Sequence, residues 1–249
     1  MEMPELNKIY QGDCLEIMKG WPDEFVNLVL CDPPYGLEYN AGNDLASKRE
    51  AILGRGESGP PRPIVGDKRE DWVKNLPQFL REVGRLLTNP GCCCCCCGGG
   101  GPKPIFAEMA LEMDKKPLEF VQAVVWDKCN LGMGWHYRRS YEFMMVARKG
   151  GKTPWYHEGK DQSNVVRIHV EIPQANDHPC KKPLNLMKKF IELHSRPGDI
   201  VLDPYCGHGP VLIAAESLGR KWIGIELNPE YVQEAENRVR AEAAQGKLF

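Results

Sequence analysis

The chain has no run approaching the roughly 20 consecutive apolar residues that a membrane span needs. Its first residues, MEMPELNKIYQGD, lack the apolar core of a secretory signal. These two absences point to the cytoplasm and to a protein that stays out of membranes. Positive charge is not in excess either. The net charge is −2, so the bulk balance does not mark a nucleic-acid binder. The eleven cysteines make no disulfide framework and show no metal-ligand spacing. Six of them, Cys92 to Cys97, are contiguous, and adjacent cysteines are poor disulfide partners. Such usage fits a reducing compartment.

What is present suits one sizeable α/β core. The chain has 249 residues, 42% of them hydrophobic, and we read residues 1–249 as a single domain. Its charge is uneven. Residues 1–36 carry seven acids against two lysines, and residues 128–160 carry seven Lys/Arg against two Glu. A local basic surface can hold phosphates when the total is near zero. An ordinary solvated face has the same composition.

Short apolar runs alternate with helical patterns. Val26–Cys31 reads as a buried strand opening into a loop at Asp32-Pro33-Pro34. Residues 40–70, rich in Gly, Pro and charge, read as a mobile loop or lid, or as a disordered insertion. Residues 74–87 place Leu76, Phe79, Leu80, Val83, Leu86 and Leu87 at helical spacing, with Asn89-Pro90-Gly91 as the stop. Cys92–Cys97 then reads as a core strand, because cysteine behaves as a small hydrophobe. A metal or redox cluster is the rival. Alternate thiols of a strand face opposite ways, so six cannot close around one ion, and no metal is expected. Strands follow at Phe120–Trp126, Glu142–Ala147, Asp199–Asp203 and Lys221–Glu226. Helices follow at Leu184–His194, Pro210–Leu218 and from Pro229. Residues 150–177 read as irregular. The alternation predicts a doubly wound, largely parallel sheet with helices on both faces.

Two loops carry candidate chemistry. Strand Ile200–Asp203 runs into Gly207-His208-Gly209 and a helix, where glycines let a backbone approach a ligand closely. The next strand ends at Glu226, nineteen residues after Gly207, where a carboxylate can accept both hydroxyls of a ribose. Pro210-Val211-Leu212 removes the third glycine of a dinucleotide fingerprint. A plain strand-to-helix turn would share the Gly-x-Gly. In Asp32-Pro33-Pro34-Tyr35, a carboxylate and the Pro33 carbonyl can both accept hydrogen bonds. Prolines stiffen the loop, and Tyr35 offers a face for a flat ring. A Pro-rich turn is the bland alternative.

Taken together these segments resemble the beta class of DNA amino-methyltransferases, which act on N6 of adenine or N4 of cytosine. Asp32-Pro33-Pro34-Tyr35 resembles the catalytic motif and Asp203-Pro-Tyr205-Cys-Gly207-His-Gly209 the cofactor motif. Ile223–Tyr231 is similar to the strand and helix that follow. His178-Pro-Cys-Lys-Lys182-Pro183 is similar to the segment preceding the cofactor motif, and Gly12-Asp13-Cys14 to the element that holds the cofactor's adenine. Trp126-Asp-Lys128, through Arg138 to Glu142, resembles the lining of the target-base pocket. The catalytic motif comes first and the cofactor motif last, a circular permutation of the Rossmann-like methyltransferase order.

The resemblance implies S-adenosylmethionine as cofactor, held by Asp13, Cys14, Lys182, Pro183, Asp203, Tyr205, Gly207, Gly209, Glu226 and Leu227. It implies double-stranded DNA as partner, a flipped adenine as substrate, and it admits a homodimer. With the basic excess, it places DNA contacts at Trp135, Tyr137, Arg138, Arg139, Arg148, Lys149 and Lys152. Residues 150–177 become a short target-recognition segment. The family usually has Gly-Ser-Gly-Thr where this chain has Gly207-His208-Gly209-Pro210. Asp32 argues for adenine over N4 of cytosine, where Ser often stands first, and against a protein-glutamine substrate, where Asn does. C5-cytosine transfer needs a nucleophilic cysteine, and Cys180 sits in the wrong segment. RNA methylation and an inactive DNA-binding module are the other readings.

Overall fold

The computed structural model describes residues 2–34, 69–98, 105–131, 137–159, 161–170 and 182–245. The loop expected over 40–70 lies outside these except at its last two residues. Tyr35, Trp135 and the end of the 150–177 segment lie outside as well.

Strand β1 (Lys8–Gln11) leads into α1 (Cys14–Lys19), β2 (Val26–Cys31) and α2 (Arg69–Leu86). Next come β3 (Leu87–Cys97), α3 (Phe106–Met113), β4 (Leu118–Asp127), β5 (Tyr141–Lys149) and β6 (Val165–Arg167). The chain then forms α4 (Leu184–His194), β7 (Ile200–Asp203), α5 (Pro210–Ser217), β8 (Lys221–Glu226) and α6 (Pro229–Gln245). The strands make one sheet in the order β1-β8-β7-β2-β3-β5-β4-β6. Every described pairing is parallel except the two that β5 makes, with β3 and with β4.

Local chemistry explains the elements. Val26, Leu28, Val29, Leu30 and Cys31 of β2 are fully buried, as a central parallel strand covered on both faces must be. Asp13 caps α1, its Oδ1 accepting from the Leu15 and Glu16 amides at 2.8 and 3.3 Å. Pro210 opens α5 directly after Gly209, a position where its missing N–H costs nothing. Asn228 accepts from the Glu230 amide at the start of α6.

The pleat of β3 divides the cysteines between two cores. Cys92, Cys94 and Cys96 join α4, α5 and α6 on one face. Cys93, Cys95 and Cys97 join α1, α2 and α3 on the other. All six are essentially inaccessible to water, so the run serves as a strand buried on both faces.

Two sequence expectations are corrected. Asn89-Pro90-Gly91 is no loop between helix and strand, because β3 already begins at Leu87. The pairing of β2 with β3 jumps from Val26↔Leu87 to Leu28↔Cys92. The intervening residues bulge from the ladder, which is how a strand tolerates a proline. Nor is 150–177 wholly irregular, since Val165–Arg167 pairs with Val125–Asp127 as β6. No helix among the described residues is long and apolar enough to cross a membrane.

Candidate active site

In a parallel α/β sheet, ligands bind beyond the carboxyl ends of the strands. Here β2, β7 and β8 end at Cys31, Asp203 and Glu226, and β1 runs parallel beside β8. Asp32, Asp203, Glu226 and Asp13 are therefore set along one edge of the sheet.

Asp32 leaves β2 into Pro33, which is buried, and Pro34, which is half-buried. Its Oδ2 lies 2.7 Å from the Lys182 ammonium. Lys182 also meets Glu142 Oε2 at 3.2 Å, and Glu142 Oε1 accepts from Lys128 at 2.9 Å. The result is an alternating chain, Lys128–Glu142–Lys182–Asp32, built from three distant segments. Burial alone would lower the Lys182 pKa, but Asp32 and Glu142 outweigh it and hold the ammonium well above the ordinary lysine value. Burial likewise pushes the Glu142 carboxyl up, and Lys182 and Lys128 reverse this, leaving it below the ordinary glutamate value. Both groups are thus charged at neutral pH. Among the described residues, Glu142 Oε2 has the Lys182 ammonium at 3.2 Å and no further hydrogen bond. It is a buried acceptor with capacity to spare beside Asp32.

The neighbouring loop is prearranged in the same way. Gly207 has φ +48° and Gly209 φ +76°, a region that favours glycine. A side chain at Gly209 would stand 3.2 Å from Ala235 Cβ, whereas one at Gly207 would project into open space. Glu226 Oε2 accepts from the Gly207 amide at 2.9 Å and Oε1 from the Asn228 amide at 2.8 Å. Burial pushes both the Glu226 and Asp203 carboxyls up, and Asp203 Oδ1 accepts from the Tyr205 amide at 3.0 Å. Tyr205 packs against Phe79 and Trp72. Leu227, 45% exposed, offers apolar surface at the rim. A crevice with a buried carboxylate at Asp203, a half-buried one at Glu226, an open glycine and an apolar lip suits a nucleoside that carries an amino acid.

Apart from Asp13 and β1, the arrangement falls within the match to the DNA methylase family model, which spans residues 26–237. The chain belongs to the N6/N4 DNA methylase family. The methyl donor of this family is S-adenosylmethionine, and the crevice fits it. Among similar proteins is the type II methyltransferase M2.MboI of Moraxella bovis. It is 25% identical over 251 residues, covering 92% of this chain and 86% of the relative. The DNA adenine methyltransferase YhdJ of Escherichia coli is 27% identical, covering 92% and 81%. A putative DNA modification methylase of Thermus thermophilus, solved with S-adenosylmethionine, superposes with a TM-score of 0.67 at 24% identity. It covers 95% of this chain and 94% of the other. The cytosine-N4-specific PvuII methyltransferase gives 0.66 at 17%, covering 98% and 93%. These two likenesses concern the fold.

Two residues expected at the cofactor have partners within the protein. Lys182 grips Asp32, at the catalytic end. The Cys14 thiol is buried in the core, pushed up to about 12 by that burial. Pro183 is buried as the cap of α4, which fixes Lys182. His208 stands where a serine is usual. It pairs with Glu234 at 2.7 Å and packs on Tyr231, while its carbonyl accepts from Arg238 at 2.7 Å. The lost hydroxyl is replaced by a tie between the loop and α6.

The expected basic surface does not form one patch. β5 crosses the sheet antiparallel, so its two ends, Tyr141 and Lys149, lie about 26 Å apart at ~3.3 Å per residue. Tyr137, 95% exposed, and Arg138 and Arg139 precede β5 at the catalytic edge. Arg148 and Lys149 close β5 at the opposite edge, and Lys152 lies just beyond. Lys149 is buried, donating to the Leu87 carbonyl at 2.8 Å and pairing with Glu24. Arg148 is paired with Glu119. Both Lys149 and Arg148 are thus held in ion pairs within the protein. Tyr156 also lies on that side, its amide donating to the Leu193 carbonyl.

Proposed function

We propose that this methylase transfers a methyl group from S-adenosylmethionine to N6 of adenine in double-stranded DNA, acting on a base flipped out of the helix. The observation that carries the reading is the Asp32 carboxylate, held by a buried lysine at the open end of β2 beside the cofactor crevice. When bound, S-adenosylmethionine supplies an electrophilic methyl group on a sulfonium.

The amino group of adenine is a weak nucleophile, because its lone pair is delocalised into the ring. Asp32 and the Pro33 carbonyl would accept from its two N–H bonds. This draws the nitrogen towards a tetrahedral arrangement as the new C–N bond forms, an interaction that strengthens in the transition state. The product nitrogen carries an extra proton, which Asp32 is placed to take. Lys182 holds Asp32 Oδ2 at 2.7 Å and so fixes the carboxylate at the mouth of the crevice. The spare capacity of Glu142 Oε2 suits a second polar edge of the base, and Tyr35 would stack on its face.

Asp, not Ser, at the first catalytic position supports adenine. Type II relatives support a site-specific enzyme of a restriction–modification pair. Phosphate contacts come from the basic residues at the catalytic edge, exposed Arg138 and half-buried Arg139, with Tyr137 and Trp135 as ring surfaces. Residues 150–177 are our choice for sequence discrimination, through the part that follows β6 back to the catalytic edge. Sedimentation with and without a duplex reads whether one or two copies act.

Asp32→Ala tests the reading. Transfer of labelled methyl to duplex DNA should fall at least a hundredfold, and calorimetric titration should show cofactor affinity within threefold of the parent. Near-normal transfer would remove Asp32 from the reaction.

A further inference from the structure

The cysteine strand offers a second site, away from the crevice. Cys92 and Cys94 lie on the same face of β3, and their Sγ atoms are 3.8 Å apart. His194, in the last turn of α4, is 4% exposed and faces the same layer. The two sulfur atoms and an imidazole nitrogen all lie within 4.8 Å of one another. His194 Nδ1 is 2.8 Å from the Pro154 carbonyl. A carbonyl only accepts, so Nδ1 carries the proton and donates, and Nε2 is the ring atom with a lone pair to give.

We propose that Cys92, Cys94 and His194 form a buried structural site for a thiophilic d10 cation, Zn2+ or Cu+. Two thiolates at about 2.3 Å from one tetrahedral ion stand ~3.8 Å apart, the spacing already present. A ring N–H donated to a backbone carbonyl is the arrangement that orients a metal-ligating imidazole. Phe190 stacks on the ring and Trp155 meets it edge-on, so apolar walls enclose the group. The pleat forbids six thiols from meeting one ion, but this site needs only two and takes its third ligand from a helix. The opposite face is the internal control. There Cys93, Cys95 and Cys31 also lie close, at 3.5 and 3.4 Å, and no imidazole among the described residues joins them.

Charge separates the two ions. Binding releases two thiol protons to solvent. Two thiolates and a neutral imidazole cancel Zn2+, whereas Cu+ leaves one negative charge in a dry core, which is costly. Cu+ in turn accepts three ligands readily, whereas a structural Zn2+ site usually has four. Either ion would pin β3 to α4, the helix whose first turn follows Lys182. Cys92 and Cys94 lie three and one residues before Cys95, the partner of Cys31, along β3 and on its other face.

The test uses untagged full-length protein in a Cys129→Ser background, because Cys129 is exposed. Elemental analysis should find one equivalent of zinc or copper, and which of them is present distinguishes the two ions. Co2+ titration of metal-stripped protein should give a thiolate charge-transfer band. The band and the bound metal should fall at least fivefold in Cys94→Ala and persist in Cys93→Ala. Added Zn2+ or Cu+ should raise the melting temperature of the parent and of Cys93→Ala, but not of Cys94→Ala. If Cys94→Ala fails to fold, the Co2+ band of the parent decides alone. Protein that arrives metal-free, gives no Co2+ band and melts unchanged with either ion would overturn the proposal. So would metal lost in Cys93→Ala and kept in Cys94→Ala.

Discussion

Lys182→Met would separate the roles read from the buried charge chain. Lys182 is 2.7 Å from Asp32 and 3.2 Å from Glu142, and methionine fills similar space without charge. Removing one partner of a buried pair costs about 3–5 kcal/mol. Here Glu142 keeps Lys128 at 2.9 Å, and the Asp32 side chain is 31% exposed, so water screens what remains. Both favour the lower end, about 3 kcal/mol. At about 2–4 °C per kcal/mol for a chain of this size, the melting temperature should drop by about 6–12 °C. The pH dependence follows by linkage. The folded-state pKa of Lys182 is raised, so its contribution is complete below 10.5 and is lost as pH rises through the folded value. That of Glu142 is depressed, so its contribution is present above 4.5 and lost as pH falls through the folded value. Thermal unfolding followed by circular dichroism from pH 4 to 10 should show the variant losing stability at a higher pH on the acid side. A double-mutant cycle with Glu142→Gln should give a coupling of at least about 1 kcal/mol. A melting temperature within 1 °C of the parent at pH 7, with no coupling, would refute the charge chain.

Other perturbations test other parts. Glu226→Ala should weaken S-adenosylmethionine affinity at least tenfold by calorimetry, at about 1–2 kcal/mol for each of two charge-assisted ribose bonds. Gly209→Ala forces a side chain into left-handed backbone 3.2 Å from Ala235 and should lower stability by about 1–2 kcal/mol in urea titration. Reversing charge at Arg138 and Arg139 should weaken binding to every duplex and reduce the salt slope by about two units. Reversal at Lys152, on the far edge, should leave DNA affinity unchanged in the same anisotropy assay.

The parts of this methylase that were legible in its sequence are those written contiguously. Asp32-Pro33-Pro34 is a loop because prolines and a strand end dictate one, and Gly207-His208-Gly209 reads as a turn for the same kind of reason. The six cysteines read as core because small apolar side chains suit a strand buried on both faces. What could not be read depends on which segments meet. Lys182 lies 150 residues beyond Asp32, and no local pattern shows that its ammonium grips a carboxylate and not the cofactor. The basic stretch looked like one surface because a sequence does not show that β5 runs antiparallel and carries its two ends to opposite edges. Pro90 looked like a stop because its tolerance inside β3 comes from a bulge against β2. Glu142 could have been singled out earlier as an acid within a basic stretch, flanked by strand residues that leave it nowhere to go but inward.

The most direct test of the central claim is the identity of the modified base. Duplex DNA methylated by the purified protein with S-adenosylmethionine would be digested to nucleosides and resolved by mass spectrometry. The account predicts N6-methyldeoxyadenosine, absent when Asp32→Ala replaces the parent. N4-methyldeoxycytidine as the product, or N6-methyldeoxyadenosine formed equally well by Asp32→Ala, would contradict it.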